Sequence, residues 1–397
     1  MKLRSVVAVL LCASLAFLSA CGAEAPSSEG SADKGGKLTV LASMFPAYDF
    51  ARQIAGDRAK VDLLMPPGAD AHSFEPGPGD MKAIQEADLL LYMNPVMDHW
   101  ISELPDRIDA DEANFVDVSK KVPKLAMPKA DTLEALLANQ PAPEATPVDE
   151  KTAAEAIKAH EHDHDHDEDA HEDEHHDGDA HEHENADADS HDHEMDEAHE
   201  EHEEHEGHEG HEGHHHENDP YDPHTWTGIR NDIIIAETIR DALIEKDPDG
   251  KDLYTKNCKA LTDKLSALDK EYAALGEKAA NRPLIVADEF PFLYLAHDYK
   301  LTFVPVLSSY GEHGEASARR LAQISDLMRD KKIPVLYYTE QTEPKLGSQL
   351  AKDTGAETLM LNAGHTVSAE DMKKGLSYTD ILESNLTALK KGLDVAD

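Results

Sequence analysis

Lys37-Leu38-Thr39-Val40-Leu41-Ala42-Ser43 sets the pattern from which the fold is read. It is a short apolar run of buried-strand type, followed from Met44 to Ala55 by apolar residues at helical spacing. The alternation recurs. Lys60 to Met65 reads as a second strand, Asp80 to Ala87 as a helix, Leu89 to Met93 as a third strand, the piece around Trp100 as amphipathic, and Asn114 to Val118 as a fourth strand. A second series consists of strand Pro283–Ala287, helix Phe292–His297, strand Thr302–Leu307, helix Ala316–Asp330, strand Pro334–Tyr338, helix Lys345–Thr354, strand Thr358–Leu361 and helix Tyr378–Lys391. Between the two series, Ile229–Leu243 and Asp252–Gly276 have helical spacing, broken at Asp247-Pro248-Asp249-Gly250. Strands alternating with helices give an α/β protein with mostly parallel sheets flanked by helices. Two such series predict two lobes joined by a long helical linker, with a cleft between them. Ligand sites in these sheets lie at the carboxyl ends of strands, and the Pro- and Gly-rich loop carrying His72 leaves one.

Of the 25 histidines, 19 lie between His160 and His216, and the other six are His72, His99, His224, His297, His313 and His365. Residues 160–219 also hold 12 Asp and 16 Glu but no Lys or Arg, so 28 of the 44 net negative charges belong to this segment. Its apolar content is too small to offset the entropy of ordering it, and a mobile loop is expected. Imidazole and carboxylate are the common nitrogen and oxygen ligands of zinc, so the run can capture divalent cations in many registers without fixing their geometry. An acidic spacer alone would not need imidazole at this density. The charge makes nucleic acid a poor candidate partner and cations the natural one. A defined site belongs among the six sparse histidines. Of these, His99, His297 and His313 read as ordinary surface or interface residues.

The N-terminus carries Lys2 and Arg4, an apolar run from Val6 to Phe17, and then Leu18-Ser19-Ala20-Cys21. This is the layout of a secretory signal, and the run is too short to be a good membrane span. Cys directly after small residues resembles a bacterial lipoprotein cleavage box. Residues 1–21 are thus expected to be a signal peptide, with Cys21 the lipidated residue that holds the protein to the extracytoplasmic face of the membrane. Residues 22–36 read as a flexible tether. Cys12 would be lost with the signal, which leaves Cys258 without an intramolecular disulfide partner.

Three stretches carry a family resemblance: Gly68-Ala69-Asp70-Ala71-His72-Ser73-Phe74-Glu75-Pro76; Asp222-Pro223-His224-Thr225-Trp226, the most specific; and Gly375-Leu376-Ser377-Tyr378 through Asn385–Leu389. They resemble the metal-binding lipoprotein subunits of bacterial ATP-binding-cassette importers for zinc and manganese (cluster A-I, ZnuA/TroA-like). The similarity covers most of 37–397 apart from the insertion. An acidic, His-rich insertion before the second ligand is characteristic of the zinc-importing branch. The resemblance implies a periplasmic-binding-protein-like architecture: an N-terminal lobe at 37–230 interrupted at about 119–219, a rigid linker helix at 231–277 and a C-terminal lobe at 278–397.

It also implies a ligand set, from which this sequence departs twice. Relatives place a His after the first strand of the second lobe, where alignment on Tyr294 and Tyr299 puts Glu289, with Asp288 beside it. Their acid after a late strand is replaced by Asn362, and His365 follows three residues later. Acid and imidazole are inferred to have exchanged places, giving His72, His224, His365 and Glu289, with Asp288 the alternate acid. Three nitrogens and one carboxylate suit zinc, whereas manganese prefers more oxygen. Trp226 and Phe74 are expected to shield the ion. The function implied is a monomeric, non-catalytic solute-binding protein that captures Zn2+ between its lobes and delivers it to an ABC-type permease. The alternatives are a cell-surface zinc buffer or adhesin, or a binding protein for Mn2+ or Fe2+. A zinc hydrolase would need an open coordination position, which a fourth ligand from the opposite lobe would close.

Overall fold

In the computed structural model, residues 37–108, 114–126, 133, 147–148, 221–279, 282–287, 290–307, 317–340, 345–393 and 395 are described. The chain runs β1 (Leu38–Ala42), α1 (Phe45–Ala55), β2 (Ala59–Leu63), α2 (Pro78–Glu86), β3 (Leu89–Tyr92), α3 (Leu104–Arg107), β4 (Phe115–Asp117), β5 (Lys124–Leu125) and β6 (Pro147–Val148). Beyond the insertion come α4 (Ile229–Lys246), α5 (Lys251–Lys278), β7 (Leu284–Val286), α6 (Leu293–Tyr299), β8 (Phe303–Pro305), α7 (Ala318–Lys331), β9 (Val335–Tyr338), α8 (Lys345–Thr354), β10 (Glu357–Met360), α9 (Ala369–Lys374) and α10 (Tyr378–Gly392). Cys21, the tether and the 19 clustered histidines lie outside the described residues. No helix among the described residues is long and apolar enough to cross a membrane.

Two four-stranded sheets form, in the orders β2-β1-β3-β4 and β10-β9-β7-β8, and every pairing within them is parallel. Their interior strands are apolar because both faces are covered. The period-2 alternation of side chains then sorts each strand between two cores. Val40, Ala42, Leu89, Leu91, Leu284, Val286, Phe303, Val335 and Tyr337 face one core shared by both lobes. Their neighbours Leu41 and Leu90 face the outer core of the first lobe, and Ile285, Val304 and Leu336 that of the second. The lobes are therefore packed onto common apolar material.

The shared core is supplied largely by helices. The stretch 231–277, which the resemblance implies is a single rigid linker helix, is broken where Asp247-Pro248-Asp249-Gly250 predicts: it holds most of α4 and α5, which pack against each other and are separated by a 3-10 turn at Pro248–Gly250. On α5, Tyr254, Cys258, Leu261, Leu265, Leu268, Tyr272 and Leu275 are buried, a stripe with alternating spacings of four and three that places them on one face. The 28 residues of α5 span about 42 Å at 1.5 Å per residue. This helix reaches α1 in the first lobe and α6 and α10 in the second. Cys258 is free and buried on it.

Within this apolar core sits Asp232, in the first turn of α4. It is fully buried, and neither carboxylate oxygen has a hydrogen-bond partner among the described residues. Burial pushes its pKa well above the usual carboxylate value. Burial, and after it the nearness of Asp232, also raises the Tyr272 and Tyr378 phenols. Such a carboxyl binds its proton more tightly in the folded than in the unfolded chain. Its contribution to stability is therefore lost as pH climbs from the ordinary carboxyl range, about 4, toward the folded value. Asp232→Asn removes that dependence. In urea unfolding of the metal-free protein between about pH 5 and pH 8, the parent should lose stability more steeply than the variant. Parallel curves would show that Asp232 does not titrate with folding.

Candidate metal centre

His72 lies in the loop that leaves the carboxyl end of β2. Asp70 fixes that loop locally, accepting from the His72 N–H at 3.0 Å and from the Ser73 hydroxyl. His224 precedes the 3-10 turn Thr225–Thr227 that leads into α4. The Asp222 carboxylate accepts from the His224 backbone N–H and pairs with its ring Nδ1, both at 2.8 Å. Asn94, in the loop after β3, donates to the Pro223 carbonyl oxygen at 2.8 Å, and the Tyr294 hydroxyl of the second lobe donates to that of Asp222 at 2.9 Å. The same hydroxyl accepts from the Leu125 N–H, so one phenol braces the His224 segment from across the cleft.

His365 is delivered by a turn after β10. The Asn362 side chain accepts from the Gly364 N–H at 2.7 Å, and Asn385 of α10 pairs with both backbone groups of Asn362. Gly364 has φ +78°, and a Cβ there would meet the Tyr378 ring at 2.6 Å, so only glycine suits this turn. Glu340, just past β9, holds the result. One carboxylate oxygen takes the His365 backbone N–H at 2.8 Å and its Nδ1 at 3.0 Å, while the other takes the Ala363 N–H at 2.8 Å. Burial would raise the Glu340 carboxyl, but its bond to His365, that residue's charge and the backbone amides together hold it below its usual value.

The structure brings His72, His224 and His365 together, with one ligand-capable atom of each within 4.8 Å of the others. Their exposures are 6%, 1% and 0%, which places the group out of bulk water. Because Nδ1 of His224 and of His365 faces a carboxylate, Nε2 is the nitrogen each can offer to a metal. Nε2 of His224 lies 3.4 Å from Nε2 of His72. Two nitrogens bound to one tetrahedral zinc at 2.0–2.1 Å stand about 3.3–3.4 Å apart, so the pair has the separation of a zinc-site edge. Trp226 covers the group, its ring 5.4 Å from the imidazoles of both His224 and His365. Phe74 packs, half-buried, where the shared core meets the outer core of the first lobe.

Asp288, Glu289 and His313 lie outside the described residues. His99 faces Glu75 at 4.0 Å and His297 faces Asp298 at 3.3 Å, and neither belongs to the three-imidazole group. Glu340 and the bracing role of Tyr294 were not anticipated from the sequence. Glu340 could have been found by the rule that drew attention to His72, since it follows the carboxyl end of a buried strand. A cavity of about 300 Å³, lined by Gly68, Asp70, Glu340, Asn362, Thr366 and Asp371 among others, lies beside the centre.

Two parallel-sheet lobes meeting on three buried imidazoles define a class, that of two-lobed binding proteins with a metal-capable centre between the lobes. Residues 40–392 match the family described as "Zinc-uptake complex component A periplasmic", and the chain belongs to that family. It is 32% identical over 394 residues to the zinc-binding lipoprotein AdcA of Streptococcus pneumoniae, a match covering 99% of this chain and 62% of the relative's length. It is 30% identical over 385 residues to the high-affinity zinc uptake system protein ZnuA of Bacillus subtilis, covering 97% of this chain and 96% of the relative. Among solved structures it resembles the metal-dependent lipoprotein YcdH of Bacillus subtilis, with TM-score 0.61 and 26% identity, covering 90% of this chain and 100% of the other. The Zn(II)-bound ZnuA-like domain of Streptococcus pneumoniae AdcA matches with TM-score 0.59 and 25% identity, at the same coverages.

Carboxylates that orient ligand imidazoles contribute roughly 10- to 100-fold to metal affinity. Glu340→Gln and Asp222→Asn should each weaken zinc binding by about that factor in chelator competition. Unchanged affinity in both variants would remove the carboxylates from the account.

Proposed function

We propose that this protein captures Zn2+ as a solute between its lobes and hands it to an ABC-type permease. The observation that carries this reading is the convergence of three buried imidazoles, two of them held at Nδ1 by carboxylates. Nitrogen-rich donor sets suit zinc, while magnesium, calcium and manganese sites are built mainly of oxygen. In this reading His72, His224 and His365 are ligands and Glu289, or Asp288 in its place, completes the tetrahedron. The His-rich segment concentrates metal, and Cys21 carries the lipid that keeps the protein outside the cytoplasm beside its permease. The protein acts as a monomer and without catalysis, since a fourth protein ligand closes the position at which a substrate would be activated. The domain scheme is that of the sequence: signal 1–21, tether 22–36, lobes at 37–230 and 278–397, and linker 231–277.

Two measurements test the reading. Deleting residues 160–217 should leave one tight zinc site in calorimetric titration and abolish only weaker ones, because the segment offers ligands without preorganised geometry. Loss of the tightest site on deletion would contradict this. Affinity of the tight site should also fall as pH drops through the histidine range, because each imidazole must bind in its neutral form. A flat profile from mildly acid to neutral pH would point to an all-oxygen site.

A further inference from the structure

The turn that carries His365 is tied to the first lobe by two hydrogen bonds. The Gly68 N–H donates to the Thr366 hydroxyl at 2.8 Å, and the Trp226 indole N–H donates to the Ala363 carbonyl oxygen at 2.8 Å. The second bond differs from the first in what it is linked to. The N–H of the same Ala363 is held by Glu340, the carboxylate that also orients the His365 ring. The Trp226 ring, fully buried, packs against His365 as well as His224, and its own carbonyl oxygen accepts from the Tyr378 hydroxyl at 3.1 Å. One side chain of the first lobe thus touches the second-lobe imidazole directly and grips the backbone beside it.

His72 and His224 belong to the first lobe and already stand nitrogen to nitrogen at 3.4 Å, so an ion can engage them before the turn carrying His365 settles onto it. We propose that Trp226 is a positioning residue that holds His365 onto an ion already bound by His72 and His224, and so governs how slowly the ion leaves. This deepens the proposed zinc-capture reading and rests on it. The contacts of Trp226 fall on the turn that carries His365, the last of the three imidazoles to engage the ion in this scheme. They therefore oppose dissociation and have no part in the first encounter, and differences in affinity of this origin appear in the off-rate.

The test uses the full chain loaded with one equivalent of zinc and mixed rapidly with excess chelator. Trp226→Phe keeps an aromatic cover but removes the N–H. The slow phase of zinc release should accelerate about five- to tenfold, the effect of losing one neutral hydrogen bond, while the association rate stays unchanged. Trp100→Phe, in the outer core of the first lobe, should alter neither rate. The chain has 2 Trp, so in Trp100→Phe, excited at the red edge where tyrosine does not absorb, the emission is that of Trp226. Its fluorescence should change on zinc loading and revert with the same time course as slow release, a signature that persists even if Trp226→Phe fails to fold. An unchanged off-rate in Trp226→Phe, a slowed association, or a Trp226 signal indifferent to zinc would overturn the proposal. If the parent itself shows no slowly released zinc, the capture reading fails first.

Discussion

Three imidazoles cannot be packed nitrogen toward nitrogen, out of water, unless a proton or a cation lies between them. That constraint organises the centre. Asp222 and Glu340, each on a Nδ1, fix which nitrogen of His224 and His365 turns inward and make that nitrogen more basic. A buried carboxylate needs donors of its own, and Glu340 has three: the imidazole and two backbone amides of the turn carrying it. The carboxylate thus orients the ring and shapes the turn together. Asn362 and Gly364 complete that turn with Asn385 from the middle of α10, a helix that packs on α1 of the first lobe. The position of His365 is in this way referred to both lobes.

The fold provides a frame stiff enough for this. Both sheets send alternate side chains into one core, and α5 reaches elements of both lobes along a continuous apolar stripe. The loops bearing His72 and His365 then meet beyond the carboxyl ends of strands from two sheets, where no ladder constrains them. Asp232 runs against this pattern, since a buried carboxyl with no hydrogen-bond partner among the described residues, near Tyr272 and Tyr378, lowers stability. Such departures from good packing concentrate where function is carried.

Much of this was legible in the sequence because the signals were local. Buried strands such as Leu89–Tyr92 and Leu284–Val286 are continuous apolar runs, and helices such as α5 keep their spacing throughout. His72 and His224 were visible through their flanking residues, and His365 through its place after a late strand. The rest depended on distance. Glu340 and His365 are 25 residues apart, and Tyr294 reaches Asp222 across 72, so neither pairing leaves a periodic trace. The short strands β5 and β6 pair antiparallel within the first part of the stretch read as the insertion and carry too few residues to show a pattern. The six residues of α9 are likewise too few for amphipathic spacing to stand out, although Ser368 caps its start. The break between α4 and α5 was readable from Asp247-Pro248-Asp249-Gly250, but their packing on each other was not.

The central claim is that one ion is held by imidazoles drawn from both lobes. Crystals of the zinc-loaded protein, with diffraction collected on either side of the zinc absorption edge, test it most directly. The account predicts a dominant anomalous peak about 2.0–2.1 Å from Nε2 of His72, His224 and His365 together. A peak bound by His72 and His224 alone, or the absence of any ordered peak between the lobes, would contradict it.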